Sequence, residues 1–198
     1  MDIAIATLTA AGVFARCGLR HALGRGLASS IHGEMRSTLD ANFAVALPVL
    51  KIDRFVRTAT TDFDLDPADV GDAARELRMF CMTHRRDLVK IDVHVVPDSG
   101  HHKAEFDRAR WIQIGDERGQ DVLVASAEDV LLQKLMWFRK GGEVSERQWR
   151  DVVGILKARL RNIDVGYVRE WAERQNTLDL FDRVWVESGG RSRTTESE

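Results

Sequence analysis

Cysteine, proline and tyrosine are scarce in this 198-residue chain, which has two, three and one of them. Cys17 and Cys81 lie far apart, with no CxxC or Cys/His ligand spacing. A disulfide framework and a structural zinc site are therefore not expected, and a reducing, cytoplasmic setting is. No stretch approaches the ~20 consecutive apolar residues of a membrane span. Residues 3–15 come nearest to a secretory core. Asp2 nevertheless sits where a positive charge belongs and Arg16 closes the run, so the segment reads as a first helix. Neither sign of charge is in excess. A formal charge of −2 and a pI of about 6.3 exclude a global basic field for nucleic acid. Arg and Lys crowd residues 139–161, and Arg85, Arg86, Arg108 and Arg110 add to them, which reads as solvated helix faces. GxSxG, HExxH, Walker A and Rossmann fingerprints are all absent.

What remains is an ordinary globular balance, 44% hydrophobic and 30% charged, enough to bury a core as one domain. Residues 3–16 read as a helix with Gly18 at its C′ position. Residues 21–24 read as a short strand, residues 24–26 as a turn, and residues 27–32 as a short helix ended by Gly33. In residues 38–47, Leu39, Ala41, Phe43, Val45 and Leu47 share one strand face, and Thr38, Asp40 and Asn42 the other. Pro48 is expected to open a helix with Ile52, Phe55 and Val56 buried. In residues 88–96, Val89, Ile91, Val93 and Val95 alternate with Lys90, Asp92 and His94, with residues 78–83 as hairpin partner. Residues 111–114 and 122–124 make another hairpin across the polar turn 116–119.

The last third is helical. Ser126 and Asp129 form an S-x-x-D box ahead of Val130, Leu131, Leu135 and Phe138. Gly141-Gly142 closes that helix, and Trp149, Val152, Val153, Leu156 and Leu160 mark the next. Asp164 and Thr177 are expected to cap two more, and the tryptophans to be core or interface. The fold class is α+β: a mixed sheet with flanking helices and a C-terminal helical bundle. The organisation expected is an α/β core over residues 1–124, a helical part over 125–187 and a disordered tail over 188–198.

Asp40 and Asn42, two apart on a strand, leave the same face with α-carbons about 6.6 Å apart. Asp92 joins them if the two strands are neighbours. Converging oxygen donors of this kind suit Mg²⁺, which can activate a hydroxyl and neutralise the triphosphate it attacks. Gly26, Ser29 and Ser30, where a strand gives way to a helix, are placed to hold phosphate oxygens. Taken alone, such polar alternation is also what any half-exposed strand shows. His32, His84, His94 and the pair His101-His102 form no convincing metal-ligand spacing, although His94 shares the face of Asp92.

Order and spacing add to this. The run Gly24-Arg-Gly-Leu-Ala-Ser-Ser-Ile-His-Gly-Glu-Met-Arg-Ser-Thr-Leu-Asp-Ala-Asn42 resembles a bacterial signature in which a Gly-Gly-x-Ala-Ser turn precedes His-Gly-x-x-Arg-x-Thr-x-Asp-x-Asp. The likeness continues at Lys90-Ile-Asp-Val-His94, at residues 125–135 and at residues 145–156, and spans roughly residues 18–186. The family is that of minimal nucleotidyltransferases of the DNA polymerase beta superfamily, which includes AbiEii-type toxins and the antitoxin partners of HEPN toxins.

The resemblance implies an enzyme that uses Mg²⁺ and a nucleoside triphosphate. The acceptor would be an RNA or protein hydroxyl, and a cognate toxin or antitoxin a partner. It makes Asp40, Asn42 and Asp92 the metal positions and Gly26, Ser29 and Lys134 the nucleotide contacts. Asp40, Asp92 and Asp151 become the catalytic carboxylates. Otherwise Lys134 is a surface lysine and Asp151 a charge on a polar face. Two positions depart from the pattern. Asn42 replaces the second Asp, and Arg25 replaces the first Gly of the pair, where a positive φ or a close phosphate approach makes a side chain costly. Both imply attenuated catalysis, or an inactive antitoxin-like or regulatory binding module.

Overall fold

The computed structural model describes residues 2–33, 40–115 and 121–190. The expectations for Thr38, for the turn at 116–119 and for residues 191–198 lie outside the described residues. The chain divides into two compact units. One comprises the described residues of Met1–Leu27 and Ser37–Ala125, the other those of Ala28–Arg36 and Ser126–Glu198.

The first unit opens with α1 (Ile3–Arg16), capped by Asp2, whose carboxylate accepts from the backbone N–H of Ala4 at 2.9 Å. Gly18, at φ 61°, follows as the C′ residue. Next come β1 (His21–Gly24) and α2 (Arg25–His32), which continues into the second unit. The helix starts directly after β1, so the turn expected over 24–26 is absorbed into its first turn. β2 (Asp40–Val45), β3 (Phe63–Asp64), β4 (Met79–His84), β5 (Lys90–Val95), β6 (Arg110–Gln113) and β7 (Asp121–Val124) complete a seven-stranded sheet. Its order is β3-β4-β5-β2-β1-β7-β6. The pairs β2/β5 and β1/β7 are parallel and the rest antiparallel.

Pro48 does not open the next helix. It precedes a 3₁₀ turn, Val49–Lys51, and α3 runs from Ile52 to Ala59. Phe55 and Ala59, at i and i+4, are buried, while Ile52 and Val56 are only half-buried. Three elements went unforeseen: β3, α4 (Pro67–Glu76) and α5 (Gly100–Arg108). For α4 the signal was present, in the Asp66 cap, Pro67 at the first position and Val70, Ala73 and Ala74 at helical spacing. A run of aromatic rings joins α1, β2, α3 and β4. Phe14 meets Phe43 at 5.2 Å and Phe55 at 6.0 Å, and Phe55 meets Phe80 at 5.7 Å. With Phe43 turned into this core, the pleat turns Asn42 to the opposite face.

The second unit carries α6 (Ala127–Lys140), α7 (Glu146–Arg159), α8 (Val165–Arg174) and α9 (Leu178–Glu187). Ser126 caps α6 by accepting from the Asp129 N–H at 3.1 Å. Its hydroxyl donates back to the Asp129 carboxylate at 2.6 Å, and Tyr167 donates to the other oxygen at 2.6 Å. Asp164 caps α8 through the Tyr167 N–H at 3.0 Å. Thr177 occupies the N-cap position of α9 as expected, but its side chain makes no cap hydrogen bond; its buried hydroxyl donates to the Ala172 carbonyl at 3.4 Å. Trp149 is buried against Phe138 at 5.2 Å. Leu160, Trp171 and Trp185 are half-buried and Trp137 is exposed, so the tryptophans are not uniformly core. Among the described residues no helix is long and apolar enough to cross a membrane.

Candidate functional site

The parallel pairing of β2 with β5 sets Asp40 opposite Lys90, Asn42 opposite Asp92 and Ala44 opposite His94. On the far side of β5, Cys81 of β4 lies opposite Asp92, and on the far side of β2, Gly24 of β1 lies opposite Asn42. Three central strands therefore bring Asp40, Asn42, Asp92, His94 and Cys81 to one patch, with Arg25 at the end of β1.

The contacts in this patch are specific. The Asn42 amide donates to Asp40 Oδ2 at 3.3 Å and turns its carbonyl oxygen to His94 Nε2 at 3.3 Å. Arg25 Nη1 lies 3.1 Å from the same imidazole nitrogen. Lys90 pairs with Asp92 Oδ1 at 2.9 Å, and the Cys81 thiol donates to that oxygen at 3.1 Å.

Burial and charge set the protonation of these groups. Burial lowers the Arg25 pKa, while Asp92 and Asp40 act to hold its charge. Burial, and then the nearby Arg25 charge, push His94 down to about 4, so it is neutral at pH 7. Burial and the hydrogen bond to Asp92 raise the Cys81 thiol. The bond to Asp92 raises Lys90. Arg25 also has φ 52°, the left-handed conformation that glycine adopts without cost. The position at which the resembled family places a glycine thus has the backbone that favours one.

The donor set bears on what ion the patch suits. Asp40 and Asp92 offer two carboxylates, one already paired with Lys90. The Asn42 oxygen faces an imidazole, and a guanidinium lies alongside. The two carboxylates alone match the charge of one hard divalent cation, and Arg25 and Lys90 beside them leave a second under-compensated.

The other site residues fall elsewhere in the chain. Gly26 lies half-buried in the first turn of α2, and Ser29 is buried further along it. In the second unit, Lys134 of α6 and Asp151 of α7 pair with each other at 2.8 Å, with side chains only 10% and 17% exposed. Lys134 is therefore not a solvated surface lysine.

No family model matches the sequence, and no curated protein does. Solved structures do match. An antigenic nucleotidyltransferase-like protein from Paracoccidioides brasiliensis is similar over 96% of this chain and 94% of its own, at 13% identity and a TM-score of 0.55. The antibiotic-resistance factor ANT(2″)-Ia is similar over 92% of this chain and 98% of its own, at 13% identity and a TM-score of 0.55. The chain has the fold of the nucleotidyltransferase superfamily. At these identities the likeness reaches the fold and no further. Strand periodicity in the sequence puts Asp40, Asn42 and Asp92 on polar strand faces, and the β2/β5 register brings Asn42 opposite Asp92. Cys81 was passed over, although it alternates with buried Phe80 and Met82 on β4.

A second cluster lies on α5. His101, His102 and Glu105 of α5 hold one ligand atom each within 4.8 Å of one another. The His-x-x-Glu spacing was visible from 102 to 105, but α5 itself was not foreseen, and without a helix that spacing carries no geometry.

Proposed function

We propose that this protein binds a nucleoside triphosphate with a single Mg²⁺ and transfers a nucleotidyl group to an RNA or protein hydroxyl, with turnover attenuated by Asn42 and Arg25. The observation that carries this reading is the pairing of Asn42 with Asp92 across β2 and β5, with Asp40 hydrogen-bonded to Asn42. Asp40 and Asp92 would hold the ion. When bound, it would neutralise phosphate charge and acidify the attacking hydroxyl.

The transfer forms an oxygen–phosphorus bond at the α-phosphate, breaks the α–β bridge and releases pyrophosphate. Arg25 adds a fixed positive charge for a phosphate oxygen, and neutral His94, whose Nε2 meets both Arg25 and Asn42, would hold those two side chains in place. The resemblance assigns Gly26, Ser29 and Lys134 to the nucleotide and Asp151 to the catalytic set, and these assignments belong to the proposal. The proposal sets the protein in the reducing cytoplasm, where the free thiol of Cys81 persists.

A second reading, that of a non-catalytic antitoxin-like or regulatory module, is favoured by the orientation of Asn42, whose amide donates to Asp40 and whose oxygen faces His94. Calorimetry with each of the four triphosphates, with and without Mg²⁺, tests the first step. Mg²⁺-dependent binding that Asp40→Ala abolishes supports the first reading, and absence of any binding removes it and favours the second. Transfer of labelled nucleotide then separates them. The acceptors assayed should be RNA, a cognate toxin or antitoxin, and an aminoglycoside. The last is included because ANT(2″)-Ia has been solved with adenylyl-2″-tobramycin at a TM-score of 0.52.

A further inference from the structure

We propose that His101, His102 and Glu105 on α5 form a binding site for one late first-row transition-metal ion of the Zn²⁺ class, distinct from the Asp40–Asp92 pair. On a helix, side chains three and four residues apart are neighbours. His102 and Glu105 are i and i+3, and His101 and Glu105 are i and i+4. The donor atoms of all three lie within 4.8 Å of one another, and His102 Nδ1 is already 3.1 Å from Glu105 Oε2.

A tetrahedral ion with bonds of about 2.1 Å spaces its donors about 3.4 Å apart. The His102–Glu105 pair has nearly that separation. A rotation of the half-buried His101 side chain would close the remainder. Glu105 is fully buried (0% exposed). A divalent ion would compensate a carboxylate held this far from water.

The donors also select the ion. Two imidazoles and one carboxylate suit Zn²⁺, Ni²⁺, Cu²⁺ or Co²⁺, whereas Mg²⁺ prefers oxygen donors throughout. Three protein donors, two of them half-exposed, form the kind of set that leaves a coordination position to water. The three ligands are not those of the Asp40–Asp92 pair, although His102 acts electrostatically on His94 of that patch.

The test uses the full chain freed of metal with a chelator, titrated with Zn²⁺ by calorimetry and with Co²⁺ by visible absorption. The result expected is one equivalent of Zn²⁺ and an intense tetrahedral Co²⁺ spectrum. His101→Ala and His102→Ala should each weaken binding at least tenfold, with circular dichroism unchanged. Asp40→Asn should leave Zn²⁺ binding intact, as should His84→Ala, which removes another histidine paired with a carboxylate, Asp87. Zn²⁺ should raise the melting temperature of the wild type and not of His102→Ala. Several weak equivalents, an affinity unchanged in both histidine variants, or loss of Zn²⁺ binding in Asp40→Asn would each overturn the proposal.

Discussion

Arg25 is where backbone and electrostatics oppose each other. Its left-handed φ of 52° costs about 1–2 kcal/mol relative to glycine. Its guanidinium, however, faces Asp40 and Asp92 in a partly buried patch, and removing the charge leaves two carboxylates under-compensated, at a cost of about 1–3 kcal/mol. The two effects nearly cancel without metal. Arg25→Gly should therefore match the wild type or be slightly less stable in chelator, and should gain more stability from Mg²⁺ than the wild type does. Urea midpoints at increasing Mg²⁺ measure this, and an equal Mg²⁺ response in both proteins would refute it.

His94 gives a second expectation at this scale. Its folded pKa, about 4, lies below the ordinary 6.5. As pH falls, the unfolded chain takes up the proton first. The contribution of neutral His94 is thus complete above pH 6.5 and is lost progressively towards pH 4, by up to about 3 kcal/mol. Burial pushes His21 in the same direction. In metal-free buffer, His94→Gln should flatten the part of the acid-induced loss that His94 causes. Urea titrations at pH 7 and pH 4.5 make the comparison.

Among the elements, the cap of α6 gathers two hydroxyl donors on one buried carboxylate. Asp129 is fully buried, and it accepts from Ser126 and Tyr167. Ser126→Ala removes the helix cap and one donor to that carboxylate, so it should cost about 1–2 kcal/mol in urea unfolding. Tyr167→Phe, which leaves the cap, should cost less. Gly33 is constrained differently: a Cβ there would lie 3.1 Å from the Ile155 backbone nitrogen and 3.2 Å from its Cγ1. Backbone of α7 cannot yield as a side-chain tip can, so Gly33→Ala should cost about 1–3 kcal/mol.

Elements whose signals are local were the ones legible from sequence. The Ser126 box, the Asp164 cap and the period-two faces of β2 and β5 all depend on neighbours within a few residues. Thr177 looked like a cap by residue type, but its hydroxyl found the Ala172 carbonyl instead. α5 carries Gly100, two histidines and charges around buried Glu105 and Phe106, too little apolar periodicity to reveal a helix. The site residues on β2 and β5 were likewise legible. Their contacts with Arg25 and Cys81 depend on strand order, which periodicity does not encode.

At the scale of the whole molecule, a formal charge of −2 supplies no general attraction for a polyanion. Affinity for a triphosphate must come from local groups, and the ion count is limited by the carboxylates that hold it. Asp40 and Asp92 together match the charge of one divalent ion, and Arg25 and Lys90 beside them oppose a second. Asn42→Asp adds one negative charge on the strand position opposite Asp92, and Arg25→Gly removes one positive charge, so the double variant is two charges closer to a two-ion site. Transfer of radiolabelled nucleotide should therefore rise in the order wild type, Asn42→Asp, Asn42→Asp with Arg25→Gly. Each step should exceed tenfold, because about 1.4 kcal/mol of transition-state charge stabilisation already gives that factor. Mn²⁺ binding followed by electron paramagnetic resonance should move from one ion per nucleotide to two along the same series. Robust wild-type turnover that Asp40→Ala abolishes would show that two carboxylates suffice and that Asn42 does not attenuate. Nucleotide binding with no turnover in all three proteins would make the fold a binding module whose charge is not what limits it.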